Sequence, residues 1–273
     1  MKKIVLGLFA LTTALTTLAQ SAAEKKFQGG ITAGFGINFQ NMGTKFIEKD
    51  GVGTDLFIGG AMHYGFTDNV GLATGLEFTF SSAKFKTGPN TLLYYYNDTK
   101  IVGVDDFDAD HTSANDAFVL SKRKQNATYI NIPTMLLFRT NFIGYVRYFG
   151  KLGMKHNFLL TQKSQDTGYS LSTQGMDLTK LGEEVTQKNM KAKNEMVFYK
   201  GSVGIAGGAE WNFTGNTCLV AELGFYYGVT PLYYNRKNSY LFTYETENNS
   251  IVRSKVNNKA TQAQLELKVS ILF

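Results

Sequence analysis

Little in this sequence can serve disulfides or metal clusters. Its 273 residues hold one cysteine, Cys218, and three histidines, His63, His111 and His156. A single thiol excludes an intrachain disulfide framework and a cysteine-based zinc cluster. Charged residues are only 18% of the chain against 43% hydrophobic, which argues against a disordered polymer. A bundle of membrane helices is also excluded, because the mean hydropathy is −0.16. That average leaves a β-barrel open, since barrel strands are only half apolar. No phosphate loop, zinc motif or nucleophile elbow is present. The net charge of +6 falls to +4 without Lys2 and Lys3, too modest to argue for nucleic acid as a partner.

Aromatics and glycines are plentiful: 21 Phe, 15 Tyr and 28 Gly stand against 3 Pro, a balance that favours strands. The first residues read as an address. Lys2 and Lys3 precede an apolar run from Ile4 to Leu18, and the small residues Ala19, Ser21, Ala22 and Ala23 follow. This is the pattern of a secretory signal peptide, residues 1–19, with cleavage after Ala19 or after Ala23. The run is short for a spanning helix. The remainder, 20–273, is expected to form one barrel domain.

From there the period is two. At the end of the chain Ala263, Leu265, Leu267, Val269, Ile271 and Phe273 alternate with Gln264, Glu266, Lys268 and Ser270. A strand puts these sets on opposite faces, whereas a helix would scatter them. The same pattern recurs over 27–39, 56–66, 70–80, 128–138, 145–159, 199–213 and 219–229. Eight strands of this length match the ~9–11 residues that a tilted strand needs to cross a bilayer. Short turns (Thr67–Asn69, Thr140–Gly144, Thr214–Asn216) alternate with long polar segments at 40–55, 81–127, 161–198 and 230–259. The expectation is an all-β, eight-stranded, antiparallel up-and-down transmembrane barrel, with short periplasmic turns and long extracellular loops.

Alternation alone does not say which face is outside. A soluble barrel would hide the apolar set. Aromatics crowd the strand ends, as in Phe27 and Phe39, Tyr64 and Phe66, Phe78 and Phe80, Trp211 and Phe213, and Tyr226 and Tyr227, which fits interfacial girdles. The opposite face is rich in Gly and Ala, as a narrow interior requires. The apolar set is therefore expected to face lipid, in the outer membrane of a diderm bacterium.

The strand Tyr129-Ile130-Asn131-Ile132-Pro133-Thr134-Met135-Leu136-Leu137-Phe138 resembles a strand of the PorT-like, porin-family outer-membrane barrels. Gly144-Tyr145, Gly150 with Gly153, the segment Gly204 to Glu210 and the terminal Phe273 fit the same family. The resemblance implies an eight-stranded outer-membrane barrel whose terminal aromatic is read by the barrel-assembly machinery. It implies little about activity, although one branch serves a type IX secretion system.

The polar parity carries Glu77, Glu210, Glu222 and Glu266 together with Arg139, Arg147, Lys151, Lys155, Lys200 and Lys268. An interior of eight strands is just wide enough for side chains to fill it. Charges there must pair. A salt-bridge network that plugs the lumen is one reading, and a narrow ion path is the other. In the second long loop Asp106, Asp108 and Asp110 alternate as in calcium loops, but His111 and Ala117 stand where Gly and Glu are wanted, so a solvated acidic loop is the plainer reading. Ser121-Lys122-Arg123-Lys124 stands near the outer rim, within reach of lipopolysaccharide phosphates. His156 lacks a neighbouring carboxylate or serine and is expected to be an interfacial side chain rather than the base of a lipid hydrolase. Asp177, Leu178, Leu181 and Val185 suggest a short helix over 177–191. No cofactor is expected. The expected role is that of a non-enzymatic membrane platform whose loops meet an envelope partner. An accessory secretion component and a small-solute pore are the alternatives.

Overall fold

The computed structural model describes residues 26–87, 92–109, 116–172, 182–193, 195–214, 217–234, 239–247 and 250–273. The expected leader, residues 1–19, lies outside them.

The period-two segments form strands: β1 (Phe27–Met42), β2 (Ile47–Lys49), β3 (Gly53–Gly65), β4 (Val70–Thr87), β5 (Leu92–Asn97), β6 (Lys100–Val102), β7 (Asp116–Arg139), β8 (Val146–Ser172), β9 (Val185–Ala192), β10 (Tyr199–Thr214), β11 (Thr217–Gly228), β12 (Leu241–Glu247), β13 (Ser250–Val256) and β14 (Ala260–Leu272). The helix α1 (Val104–Ala109) stands between β6 and β7. Antiparallel pairing runs β1, β3, β4, β7, β8, β10, β11, β14 and returns to β1. The seam is tight, since Phe273 and Gly29 exchange two backbone hydrogen bonds of 2.9 and 3.2 Å. The ring therefore has no open edge along its wall.

The sequence reading needs correction beyond this ring. Among the described residues the sheet has fourteen strands, six more than the ring, and the segments expected as loops are largely structured. Segment 81–127 carries the end of β4, all of β5, β6 and α1, and the start of β7. Segment 161–198 carries the end of β8 and then β9, while 230–259 carries β12 and β13 and 40–55 carries β2. The helix expected over 177–191 is absent where the chain is described: Val185 begins β9. Asp177, Leu178 and Leu181 lie outside the described residues.

The reason lies in the parity of the long strands. Along the outward face of β4, Leu76, Phe78 and Phe80 give way to Ser82, Lys84 and Lys86. Facing inward on the same strand are Glu77, Thr79 and Ser81, then Ala83 and Phe85. Strand β7 shows the same inversion. Its outward Phe138, Leu136, Ile132 and Ile130 are followed upward by Asn126, Lys124 and Lys122, and the inward Asn131 by Tyr129 and Ala127. One continuous strand thus shows apolar groups outside along one part and polar groups outside along the next. The outward residues turn from apolar to polar at that height while the pleat continues unbroken.

Above this boundary the strands build a cap with its own core. Strand β5 is buried on both faces. Leu92, Tyr94 and Tyr96 pack with Phe85, Phe118, Leu120 and Met190, while Leu93 and Tyr95 pack with Val104, Val119 and Phe242. A run such as Leu92-Leu93-Tyr94-Tyr95-Tyr96 has no alternation because neither face meets water. At the opposite end β3–β4 and β7–β8 are joined by short turns. Gly144 has φ +67° in the second, a left-handed conformation that suits glycine.

Candidate functional site

Along the part of the ring whose outer face is apolar, the charged residues face inward and most of them meet in pairs. Lys268 donates to both oxygens of Glu77 at 2.7 and 2.8 Å, and Lys155 to both oxygens of Glu266 at 2.6 Å. Lys268 also stands 3.4 Å from Glu266, so the four groups form one node. Lys151 bonds Glu222 at 2.5 Å. Nearer the short turns, Glu210 receives Arg139 at 3.0 Å and Arg147. Both guanidinium groups also reach Gln28. Lys200 donates to Gln262 at 2.9 Å. Of these pairs Arg147 and Glu210 are direct cross-strand partners on β8 and β10, whereas Lys151–Glu222, Lys155–Glu266 and Lys268–Glu77 reach across the lumen between strands that are not neighbours.

The lumen holds more than charge alternation disclosed. His63 lies against Arg139 at 2.7 Å and Lys151 at 3.3 Å. Asp55 accepts from Asn38 and Gln264. Aromatic rings fill the remaining width: Lys155 sits 4.2 Å from the Tyr226 ring centre and 5.0 Å from that of Phe57. Tyr226 is therefore an interior residue rather than part of an outer girdle. The size of a neighbour makes room for it, because a Cβ on Gly204 would come within 2.3 Å of its ring. The signal for Phe57, Phe149 and Tyr226 was present in parity, each being out of step with the outward set, but their aromatic character masked it.

Free space inside is small. At the turn end a vestibule of about 640 Å³ opens among Lys26, Gln28, Arg139 and Arg147. Above it the gap between Thr32, His63, Glu77 and Lys151 holds about 30 Å³, roughly one water molecule. Salt bridges and rings occupy the rest of the cross-section.

In the cap, Arg123 is fully buried. It donates to both oxygens of Asp166 at 2.7 Å and to Glu195 at 3.1 Å, with the Tyr94 ring 5.3 Å away. Burial alone would lower the Arg123 guanidinium, but Asp166 and Glu195 outweigh it and hold its pKa above the ordinary value. Burial raises the Glu195 carboxyl, which Arg123 offsets only in part. Burial likewise raises the Tyr94 phenol, and Asp166 adds to that. Of the basic run, Arg123 is thus structural, while Lys122 and Lys124 point to solvent.

The acidic run is not arranged as a calcium loop where it is described. Asp106 and Asp108 lie on α1, where residues two apart are separated by roughly 200° around the axis and do not converge. Asp108 is engaged by Arg253 at 2.7 Å. Asp110 lies outside the described residues. Among the described residues no group of three or more His, Cys, Asp or Glu side chains is placed to hold a metal. His156 is on the outer wall, its Nδ1 2.8 Å from the Tyr199 hydroxyl, beside Phe158 and Phe198. His111 is outside the described residues.

The family model for the outer membrane protein beta-barrel domain matches residues 18–234. No curated protein matches the chain. Among solved structures, the outer membrane protein OprG from Pseudomonas aeruginosa is similar at 11% identity and TM-score 0.40, covering 92% of this chain and 98% of its own. The attachment invasion locus protein Ail of Yersinia pestis is similar at 13% identity and TM-score 0.32, covering 91% and 99%. The outer membrane protease OmpT from Escherichia coli is similar at 10% identity and TM-score 0.35, covering 93% and 99%.

Proposed function

Because the chain belongs to the family of outer membrane protein β-barrel domains, we propose that it is a non-enzymatic platform, an eight-stranded transmembrane barrel that holds a folded cap outside the cell. The outward apolar band, with Leu267, Leu223, Ile205, Leu136 and Leu56 all exposed, is the lipid-facing wall. The short turns and both barrel termini then lie in the periplasm. Phe273, bonded to Gly29 at the seam, is the residue offered to the barrel-assembly machinery.

One observation carries the role: the lumen is occupied by paired charges and aromatic rings, and the far end carries a packed sheet. Such a barrel presents its cap rather than conducting solute. The cap's breadth suits contact with an envelope partner, and a secretion-machine role, which the PorT-like resemblance implies, would use the same surface. Two measurements test the reading. Purified protein in planar bilayers should show no stepwise conductance, and discrete channels would refute the sealed lumen. Gentle extraction with affinity purification should retain an envelope protein in fixed ratio. A lone monomer that also conducts would overturn the platform.

A further inference from the structure

Where the cap meets the barrel wall, beside β8 and the approach to β10, a lateral groove of about 990 Å³ opens to the outside. Its lower part is apolar: Leu160 and Phe198 are both more than half exposed. They sit at the top of the outward apolar band, next to Phe158 and the bulge where β7 and β8 shift register. Its upper part is basic, with Lys100, Lys191 and Lys193 on the lining and a single carboxylate, Asp106, among them.

Two of these lysines face each other. Lys100 and Lys191 are register partners in the parallel pairing of β6 with β9. Like charges set directly opposite in a sheet repel. No carboxylate among the described residues lies within ion-pair distance of Lys100, Lys191 or Lys193. The surrounding backbone holds them there, because Lys191 donates its N–H to Thr99 at 2.8 Å and the Lys193 carbonyl accepts from the Tyr240 hydroxyl. Elsewhere in the cap some exposed cations have acids, as Lys255 meets Asp105 and Arg253 meets Asp108, while Lys122 and Lys124 stand in solvent away from any apolar floor. The groove therefore combines uncompensated positive charge with a greasy floor at the height where the outside medium turns from apolar to aqueous.

We propose that this groove binds one anionic phosphorylated lipid of the outer leaflet, its acyl chain against Leu160 and Phe198 and its phosphate between Lys100, Lys191 and Lys193. The proposal rests on the membrane-spanning reading. The bound phosphate relieves the repulsion between the facing lysines, and the amphipathic groove selects a lipid over a free anion.

The test uses the full-length mature protein in neutral maltoside micelles. Dilauroyl phosphatidic acid is titrated in and bound lipid is counted by native mass spectrometry. One molecule should bind ahead of any dilauroyl phosphatidylcholine. The Lys100→Gln/Lys191→Gln/Lys193→Gln variant should bind about two orders of magnitude more weakly. The Lys122→Gln/Lys124→Gln variant, altered on the other side of β7's register, should bind as the parent does. Inorganic phosphate at the same concentration should not displace the lipid. Equal binding by the triple variant, or displacement by inorganic phosphate, overturns the lipid site. Heat-dependent gel migration of every variant separates this failure from that of the membrane reading: a folded barrel that binds no lipid refutes the groove alone, and protein without heat-modifiable migration refutes the barrel.

Discussion

Glu266 offers the sharpest test of the lumen. Its carboxylate is buried and receives Lys155 at 2.6 Å through both oxygens, with Lys268 at 3.4 Å. Glu266→Gln keeps the shape and deletes the charge. Lys268 still has Glu77 at 2.7 Å, but Lys155 loses its charged partner and keeps the amide oxygen of the new side chain, the Phe57 and Tyr226 rings and the Glu77 charge that it shares with Lys268. Removing one member of a buried pair costs about 3–5 kcal/mol, chiefly because the survivor stays desolvated and unneutralised. Cation–π contact returns about 1–2 kcal/mol of that at most. The expected loss is therefore about 2–4 kcal/mol. The compensating variant Glu266→Gln/Lys155→Met removes the stranded charge and should recover most of the loss. Reversible urea unfolding in lipid vesicles provides the assay. Trp211, the only tryptophan and exposed on the outer wall, reports insertion by fluorescence, and gel mobility reports folding. A single variant within about 1 kcal/mol of the parent, or a double variant no better than the single, would refute the account of the lumen as a charge-paired plug.

Three further outcomes are expected. Leu267→Arg, on the outward face, should cost about 2–4 kcal/mol near the midplane in the same assay, and tolerance of it would invert the assignment of faces. Arg123→Met should strand buried Asp166 and loosen the cap while leaving the ring folded: limited proteolysis should cut within 81–127 and 161–198, yet heat-modifiable migration should persist, and uncut protein would refute a cap built around this arginine. Burial raises the Glu195 carboxyl, so the folded cap holds that proton more tightly than the unfolded chain does. This contribution is present below the unfolded carboxyl value near 4.3 and is lost as pH rises through the higher folded value. Protease resistance of the cap should therefore fall as pH rises above the ordinary carboxyl value of about 4.3, and Glu195→Gln should flatten the change; an unaltered profile in that variant would refute it.

The ring was legible in the sequence because a barrel wall obeys a local rule. Each strand reports its own two faces every second residue, and Leu267 against Lys268 needs no distant partner to be read. Alternation also placed Glu77, Glu210, Glu222 and Glu266 on one face with Arg147, Lys151, Lys155 and Lys268. Their pairing was not legible, since it depends on which strands the closed wall sets across the lumen: Glu222 meets Lys151 although its direct cross-strand neighbour is Lys268. The cap escaped for a different reason. The strands were read as ending where outward residues became polar, but polarity there marks the surrounding medium and not the end of pairing. Lys84, Lys86, Lys122 and Lys124 looked like loop residues and are the water-facing side of strands whose inner side carries Phe85 and Arg123.

The sequence by itself determined the class, the period and the identity of the apolar wall, because these follow from the covalent alternation of side chains along an extended chain. Only the tertiary structure decided that the wall closes on itself through Gly29 and Phe273, that Asp166 and Glu195 converge on Arg123 from distant segments, and that Lys100 and Lys191 face each other over an apolar groove. Each of these is a contact between residues far apart in the chain. Pairing register and packing set such distances, and no local pattern encodes them.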